Sequence, residues 1–157
     1  MCKEVPLGTT TFTGPVKAGT IPNTSGSTLG QDVRNTGWVL MAQSANITQA
    51  SGATDIVIPA NSQIVDIKVF VTAVFSGAAT TFGIGTTASA TFLTAAGALD
   101  AAAVGPLTAT PGTDATRNGN WIDVGTTDRK IAVTATNTGT GTATIVVTYL
   151  QNRNATA

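Results

Sequence analysis

The residue types that carry most enzymatic chemistry are almost missing from this sequence. General acid–base and nucleophilic catalysis draw on His, Cys and carboxylates with shifted pKa values. The 157 residues include no His and a single Cys, Cys2. The eight acidic residues are dispersed, with no Asp-x-Asp or Glu-x-x-Glu pair among them. The sequence therefore predicts a protein that is not an enzyme and that holds no cofactor, zinc ion or other metal.

Two weaker patterns could still bind a ligand. Asp114, Asp123 and Asp128 could hold calcium if their loops met in space, although isolated aspartates in exposed turns are the ordinary case. Residues 83–88 (GIGTTA) match the G-x-G-x-x-A pattern of dinucleotide-binding loops. That pattern needs a following helix and an acid about 20 residues on, and Asp100 comes too early. Residues 83–88 are thus expected to form a strand that contains glycines.

A carbohydrate-stacking platform is a third possibility. Trp38, Trp121 and Tyr149 offer aromatic faces with polar tips, which suits sugar binding. All three lie within apolar, strand-like segments, however. The pattern favours packing in the core or at its rim over a glycan site.

The segments that would position these residues are typical of β-strands. From Gln63 to Phe75, apolar residues alternate with polar ones: Val65, Ile67, Val69, Val71, Ala73 and Phe75 share one predicted face. Asp66, Lys68 and Thr72 fall on the opposite face. A period of two over this length indicates a strand with one buried and one wet face. Short strands of this kind at regular spacing predict an all-β fold, an antiparallel β-sandwich or jelly roll.

The last third of the chain carries the same pattern with clear turns. Residues 117–120 (RNGN) are a tight-turn signal, and residues 121–124 a short strand. Residues 129–136 and 142–151 alternate on either side of a glycine-rich turn, which predicts a final hairpin. Helix is expected only within the Ala-rich residues 95–104.

Composition and charge narrow the range of partners. Thr makes up about a fifth of the chain, only 10% of residues are charged and the formal net charge is zero. Nucleic acid requires a basic face, and a membrane span requires about 20 apolar residues, so neither partner is expected. A surface with so little charge guards weakly against association, which favours a homo-oligomer or a place on a larger assembly. A Thr/Ser/Asn surface that is polar without charge is the alternative.

The sequence divides into three parts. Residues 1–35 are broken by Pro and Gly too often for a helix or central strand, yet carry single apolar residues every few positions. We expect an extended arm that docks on a partner, with a disordered linker as the alternative. Phe12, Val16 and Ile21 are the predicted anchors. Residues 36–152 form the predicted β body and residues 153–157 a short tail.

Five segments together resemble small virion proteins of tailed bacteriophages, in particular head decoration or cement proteins. They are residues 12–20 (FTGPVKAGT), 37–40 (GWVL), 64–69 (IVDIKV), 84–86 (IGT) and 143–149 (ATIVVTY). The resemblance spans most of the chain and is one of composition and strand pattern. It implies a jelly-roll or sandwich module whose arm helps it to clamp neighbouring capsid subunits from outside.

The resemblance also implies partners and a location. The partner would be the major capsid protein, the protein would self-associate (as a trimer, by analogy), and it would be found in the virion after assembly in the host cytoplasm. A tail-fibre or receptor-binding module that contacts host glycans is the alternative function. A capsule, pilus or surface-layer subunit is a third, which the absence of a signal peptide at residues 1–6 disfavours.

Overall fold

The computed structural model describes residues 39–151, and strands take up 51% of them. Eight strands are present in this range. They are β1 (Val39–Thr48), β2 (Gly52–Ile58), β3 (Ser62–Ala73), β4 (Thr81–Thr86), β5 (Leu99–Asp100), β6 (Gly105–Thr108), β7 (Arg129–Ala135) and β8 (Thr142–Gln151). One helix, α1 (Ala115–Ile122), lies between β6 and β7.

The strands form two four-stranded antiparallel sheets, in the orders β1-β8-β3-β6 and β2-β7-β4-β5. Strand pairs β1·β8, β2·β7, β3·β6 and β4·β5 are those of one long hairpin folded at its middle. Pairs β3·β8 and β4·β7 form when that hairpin is rolled up on itself. This is the topology of an eight-stranded jelly roll, as the strand pattern predicted.

The core lies between the two sheets. Strands β2 and β8 contribute alternate residues to it, because side chains on a strand point to opposite faces. Strand β4 is buried on both faces, at every residue from Phe82 to Thr86. The rings of Phe75 and Phe82 pack with their centroids 5.3 Å apart. The largest fully buried apolar side chains are Phe82, Ile56, Ile58, Ile67, Ile84, Leu93, Ile131, Ile145, Val69, Val124 and Val147.

Strand β3 departs from strict alternation at its start. Ile64 lies opposite Tyr149 and Asp66 opposite Thr148, so Val65 is an extra residue in a β-bulge. Val65 is 47% exposed, which corrects its predicted place on the buried face. Ala73, near a second shift in the register, is exposed as well. The predicted alternation is confirmed at Ile67, Val69 and Val71, which are buried.

The predicted final hairpin is wrong. Both strands exist, and Ile145, Val147 and Tyr149 are buried on one side of β8 as expected. Strand β7 pairs with β2 and β4, however, whereas β8 pairs with β1 and β3. Residues 136–141 therefore cross from one sheet to the other instead of joining two neighbours.

Helix α1 stands where a turn was predicted at residues 117–120, and it includes the first two residues of the strand predicted at residues 121–124. The other two residues of that predicted strand are irregular. Asp114 caps this helix, accepting a hydrogen bond from the backbone N–H of Arg117 at 2.8 Å. Near its C-terminal end, Asn120 and Trp121 donate side-chain hydrogen bonds to the carbonyls of Phe92 and Leu93, each at 2.9 Å. These tertiary contacts outweigh the poor helix propensity of Asn and Gly. The Ala-rich residues 95–104, by contrast, form turns and the short strand β5.

Candidate interaction surface

The three aspartates considered for calcium each accept a hydrogen bond from a backbone N–H. Asp123 accepts a hydrogen bond from the backbone N–H of Gly125, and Asp128 accepts one from that of Ala60. Together with the helix cap at Asp114, all three aspartates thus serve as backbone caps. Across residues 39–151 no three His, Cys, Asp or Glu side chains come together as a possible metal site.

The two glycines of the G-x-G-x-x-A match, Gly83 and Gly85, lie in strand β4, as expected. The loop that follows β4 packs closely against both. A side chain at Gly85 would place its Cβ 2.3 Å from the carbonyl oxygens of Ser89 and Ala90. At Gly83 it would lie 2.9 Å from the carbonyl oxygen of Ala95. The glycines therefore let the loop after β4 pass directly over the strand.

The aromatic residues do not form an exposed platform. Tyr149 is buried, and its hydroxyl accepts a hydrogen bond from the Gln43 amide at 2.7 Å. Trp121 is partly buried, with its indole N–H bound to the Leu93 carbonyl. Trp38 lies outside the described residues.

The second sheet carries a shallow groove of about 420 Å³. Its walls come from residues 51–53, 86–90 and 132–134, all of them small or uncharged. The lining includes Ser and Thr hydroxyls but no carboxylate, imidazole or amine that could activate them as nucleophiles.

The outer face of the sheet β1-β8-β3-β6 is a second candidate surface. We refer to it as the neutral face. Its register brings together side chains that alternate with the buried ones: Ala42, Ser44 and Asn46 on β1; Thr144, Val146 and Thr148 on β8; Asp66, Lys68 and Phe70 on β3; Pro106 and Thr108 on β6.

Charge is sparse on the neutral face and is paired where it occurs. Lys68 Nζ lies 3.7 Å from Asp66 Oδ2 and donates a hydrogen bond of 2.6 Å to Thr108 Oγ1. Strands β1, β6 and β8 carry no charged residue. A partner that covered this face would have to desolvate one ion pair only.

Large apolar side chains protrude from the same sheet. Phe70 is 45% exposed between Thr144 and Pro106, and Val65 projects at the bulge. The sequence had not marked either as a contact residue. Phe70 could have been found from its spacing, because it falls between Lys68 and Thr72 on the wet side of β3. Val65 could not, because nothing in the local sequence reveals the bulge.

The predicted anchors Phe12, Val16 and Ile21 lie outside the described residues, as do most of the arm and the tail. Within residues 39–151, no helix has the length and apolar character to cross a bilayer.

The structure defines this chain as an eight-stranded jelly roll that carries the neutral face on one of its two sheets. Residues 39–151 show no catalytic cluster. The sequence matches no protein-family model and no curated protein.

Three similar solved structures come from phage capsids. "Capsid of Ralstonia phage GP4" has a TM-score of 0.49 and 23% identity, over 74% of this chain and 86% of that one. "Acidic stable capsid structure of Helicobacter pylori bacteriophage KHP30" has a TM-score of 0.49 and 19% identity, over 72% and 88%. "Cyanophage Pam1 capsid asymmetric unit" has a TM-score of 0.43 and 18% identity, over 83% and 97%. At these values the likenesses transfer no function to this chain.

Proposed function

We propose that this chain is a non-catalytic structural protein of a phage virion, which decorates or cements the capsid by binding across neighbouring copies of the major capsid protein. It joins the virion during assembly in the host cytoplasm. The observation that supports this role best is the neutral face, on which Phe70 is exposed and charges are few and paired, together with the exposed Val65 at the neighbouring bulge of β3.

A face of this kind suits a large, flat partner. Small ligands bind in concave pockets that enclose most of their surface, whereas a sheet face offers area without enclosure. Burying Thr, Val and Phe side chains removes apolar surface from water at a gain of roughly 25 cal/mol per Å². Removing charged groups from water would work against that gain, and this face has few.

The arm adds a second attachment. Residues 1–35 place Phe12, Val16 and Ile21 at intervals along a chain rich in Pro and Gly. If these residues fill pockets on a capsid subunit next to the one that the neutral face covers, each copy bridges two subunits. Because the two contacts are linked covalently, they reinforce each other without either being strong.

Binding to capsids that lack the protein tests the proposal. Purified protein is mixed with such capsids, sedimented, and the bound fraction measured against concentration. The double substitution Val65→Thr/Phe70→Thr should weaken binding about tenfold or more, because each removed apolar contact contributes on the order of 1 kcal/mol. Val57→Thr is the matched control, since Val57 is 38% exposed but belongs to the other sheet.

Equal binding by the double variant and by wild type would remove the neutral face from the contact. Absence of binding to capsids, together with binding to host cell-wall glycan, would replace the capsid role with that of a tail-fibre or receptor-binding module.

A further inference from the structure

The four edge strands of the jelly roll, β1, β2, β5 and β6, differ in how well they are protected against pairing with another chain. An edge strand exposes unpaired backbone groups, and proteins usually blunt such edges with short strands, Pro, charge or bulges. Strand β5 has two residues, and β6 has four, one of which is Pro106. Strand β2 carries charged Asp55 within a shift in its register.

The β2 edge has an additional guard. The side-chain amide of Gln43 accepts a hydrogen bond from the Val57 N–H at 3.0 Å and donates one to the Val57 carbonyl at 2.6 Å. One amide thus occupies the donor and the acceptor that another strand would need at this position.

Strand β1 has none of these guards. Its ten residues include no charged residue and no Pro, and its register with β8 runs unbroken from Val39 to Thr48. Within residues 39–151, β8 is the one strand that pairs with it. Leu40 and Met41, at the start of β1, are 61% and 39% exposed. A long, regular, uncharged edge with exposed apolar side chains is suited to pairing with another chain.

We infer that β1 pairs with β1 of a second copy, antiparallel across a twofold axis, and joins two four-stranded sheets into one of eight strands. A second copy is the partner that the edge fits best for two reasons. Copies of the same chain are always present together, so a second copy is the first partner available to pair with an unprotected edge strand. Opposed β1 strands also bring no like charges together, because β1 carries none.

The same edges limit the assembly to two copies. A twofold contact uses the identical surface of both partners and closes on itself. Within residues 39–151 each copy has one unprotected edge strand, β1, and the pair uses the β1 edges of both copies. Strands β2, β5 and β6 then offer no edge for a third copy. This inference replaces the trimer expected by analogy, because three copies cannot share one twofold strand contact. It does not depend on the proposed capsid role.

A charge-swap experiment on the full chain tests this contact. Ala42→Lys/Ser44→Lys places two positive charges on exposed positions of β1. Ala42→Glu/Ser44→Glu places two negative charges there. In the twofold pair, either variant opposes like charges across neighbouring strands, so its dimer dissociation constant should rise about tenfold or more.

Mixing the Lys and Glu variants should restore a dimer of mixed composition, because opposite charges then face each other. The matched control is Thr148→Lys/Val146→Lys, whose residues lie opposite Ala42 and Ser44 on β8. The two β8 strands would be about 14 Å apart, three strand spacings, which is beyond the roughly 8 Å screening length at physiological salt. This control should dimerise as wild type does.

Sedimentation velocity at tens of micromolar distinguishes the outcomes. The expected result is a wild-type dimer, separate Lys and Glu variants shifted towards monomer, and a dimer again in the mixture. A wild-type monomer or trimer would overturn the inference. So would variants that weaken association without rescue on mixing, since the β1 edge would then be covered by something other than a second β1.

Discussion

Gln43 in β1 and Gln49 just after it use their side-chain amides to make hydrogen bonds to backbone groups, as a neighbouring strand would. Gln43 occupies the backbone groups of Val57, as described above. Gln49, which is 1% exposed, accepts a hydrogen bond from the Ser76 N–H at 2.5 Å. Its amide nitrogen donates to the carbonyls of Ser76 and Ala79 at 2.6 and 3.1 Å. Both side chains satisfy backbone groups that no neighbouring strand reaches, and a buried group left without a partner would be costly.

Replacing Gln49 should therefore destabilise the fold more than replacing Gln43. Gln49→Leu removes the side-chain partners of the Ser76 N–H and the Ala79 carbonyl, at about 1–3 kcal/mol for each buried group left unpaired, while the Ser76 carbonyl keeps the Asn137 amide as a donor. Gln43→Leu should cost less, because it affects one partly buried partner, the Tyr149 hydroxyl, whereas its two hydrogen bonds with Val57 lie where water can replace them.

Urea unfolding of both variants checks this order. A loss of stability at Gln43 equal to or above that at Gln49 would contradict the structural role given to the buried amide.

Strand β3 shows what a sequence pattern can and cannot predict for an element. Alternation correctly assigned Ile67, Val69 and Val71 to the core, because side-chain period follows directly from strand geometry. It failed at Val65, where a bulge inserts one residue against β8. A bulge depends on the pairing of two strands far apart in sequence, so one strand's own pattern does not reveal it.

The register of β3 predicts opposite outcomes for neighbouring substitutions. Val69→Asp should unfold or aggregate the protein, because it places a charge at a position that is 0% exposed. Phe70→Asp, one residue along, should fold, because Phe70 points to the neutral face. Thermal melts of the two variants measure the difference. Similar losses of stability would show that the register is misassigned.

The pairing of the strands and the presence of α1 could not be predicted from local sequence, because both depend on contacts between distant parts of the chain. The break between the last two strands was predicted correctly. Whether that segment joins neighbouring strands or crosses between sheets depends on how β7 and β8 pair with β1, β2, β3 and β4. Helix α1 contains Asn118 and Gly119, which favour turns in isolation. Its hydrogen bonds to the carbonyls of Phe92 and Leu93 exist only in the folded protein. In the candidate surface, Phe70 was accessible to sequence reasoning and Val65 was not.

For the whole molecule, the all-β class was predictable because Thr- and Val-rich alternation recurs throughout the body. The strand order was not, because many topologies share the same pattern of short strands. The division into an arm of residues 1–35 and a body of residues 36–152 stays a proposal that truncation can test.

Removing residues 1–34 should leave the body folded, because residues 39–151 already hold a continuous core between two sheets. The melting temperature should stay close to that of the full chain. Capsid binding should fall sharply, since Phe12, Val16 and Ile21 are lost together. Phe12→Ala alone should cost on the order of 1–3 kcal/mol of binding as a buried anchor.

A thermal melt and a capsid co-sedimentation run on the truncated protein measure these effects. Unfolding on truncation would make the arm part of the sandwich. Unchanged melting and unchanged binding would make it a passive tail, with the sheet surface alone making the contact.

The capsid role and the orientation of the jelly roll are tested together by a cryo-electron microscopy map of capsids reconstituted with this protein. We predict density on the outside of the shell at boundaries between capsid subunits, with the sheet β1-β8-β3-β6 turned towards the shell and Phe70 at the contact. A shell without added density, or a jelly roll whose neutral face points to solvent, would contradict the proposed function.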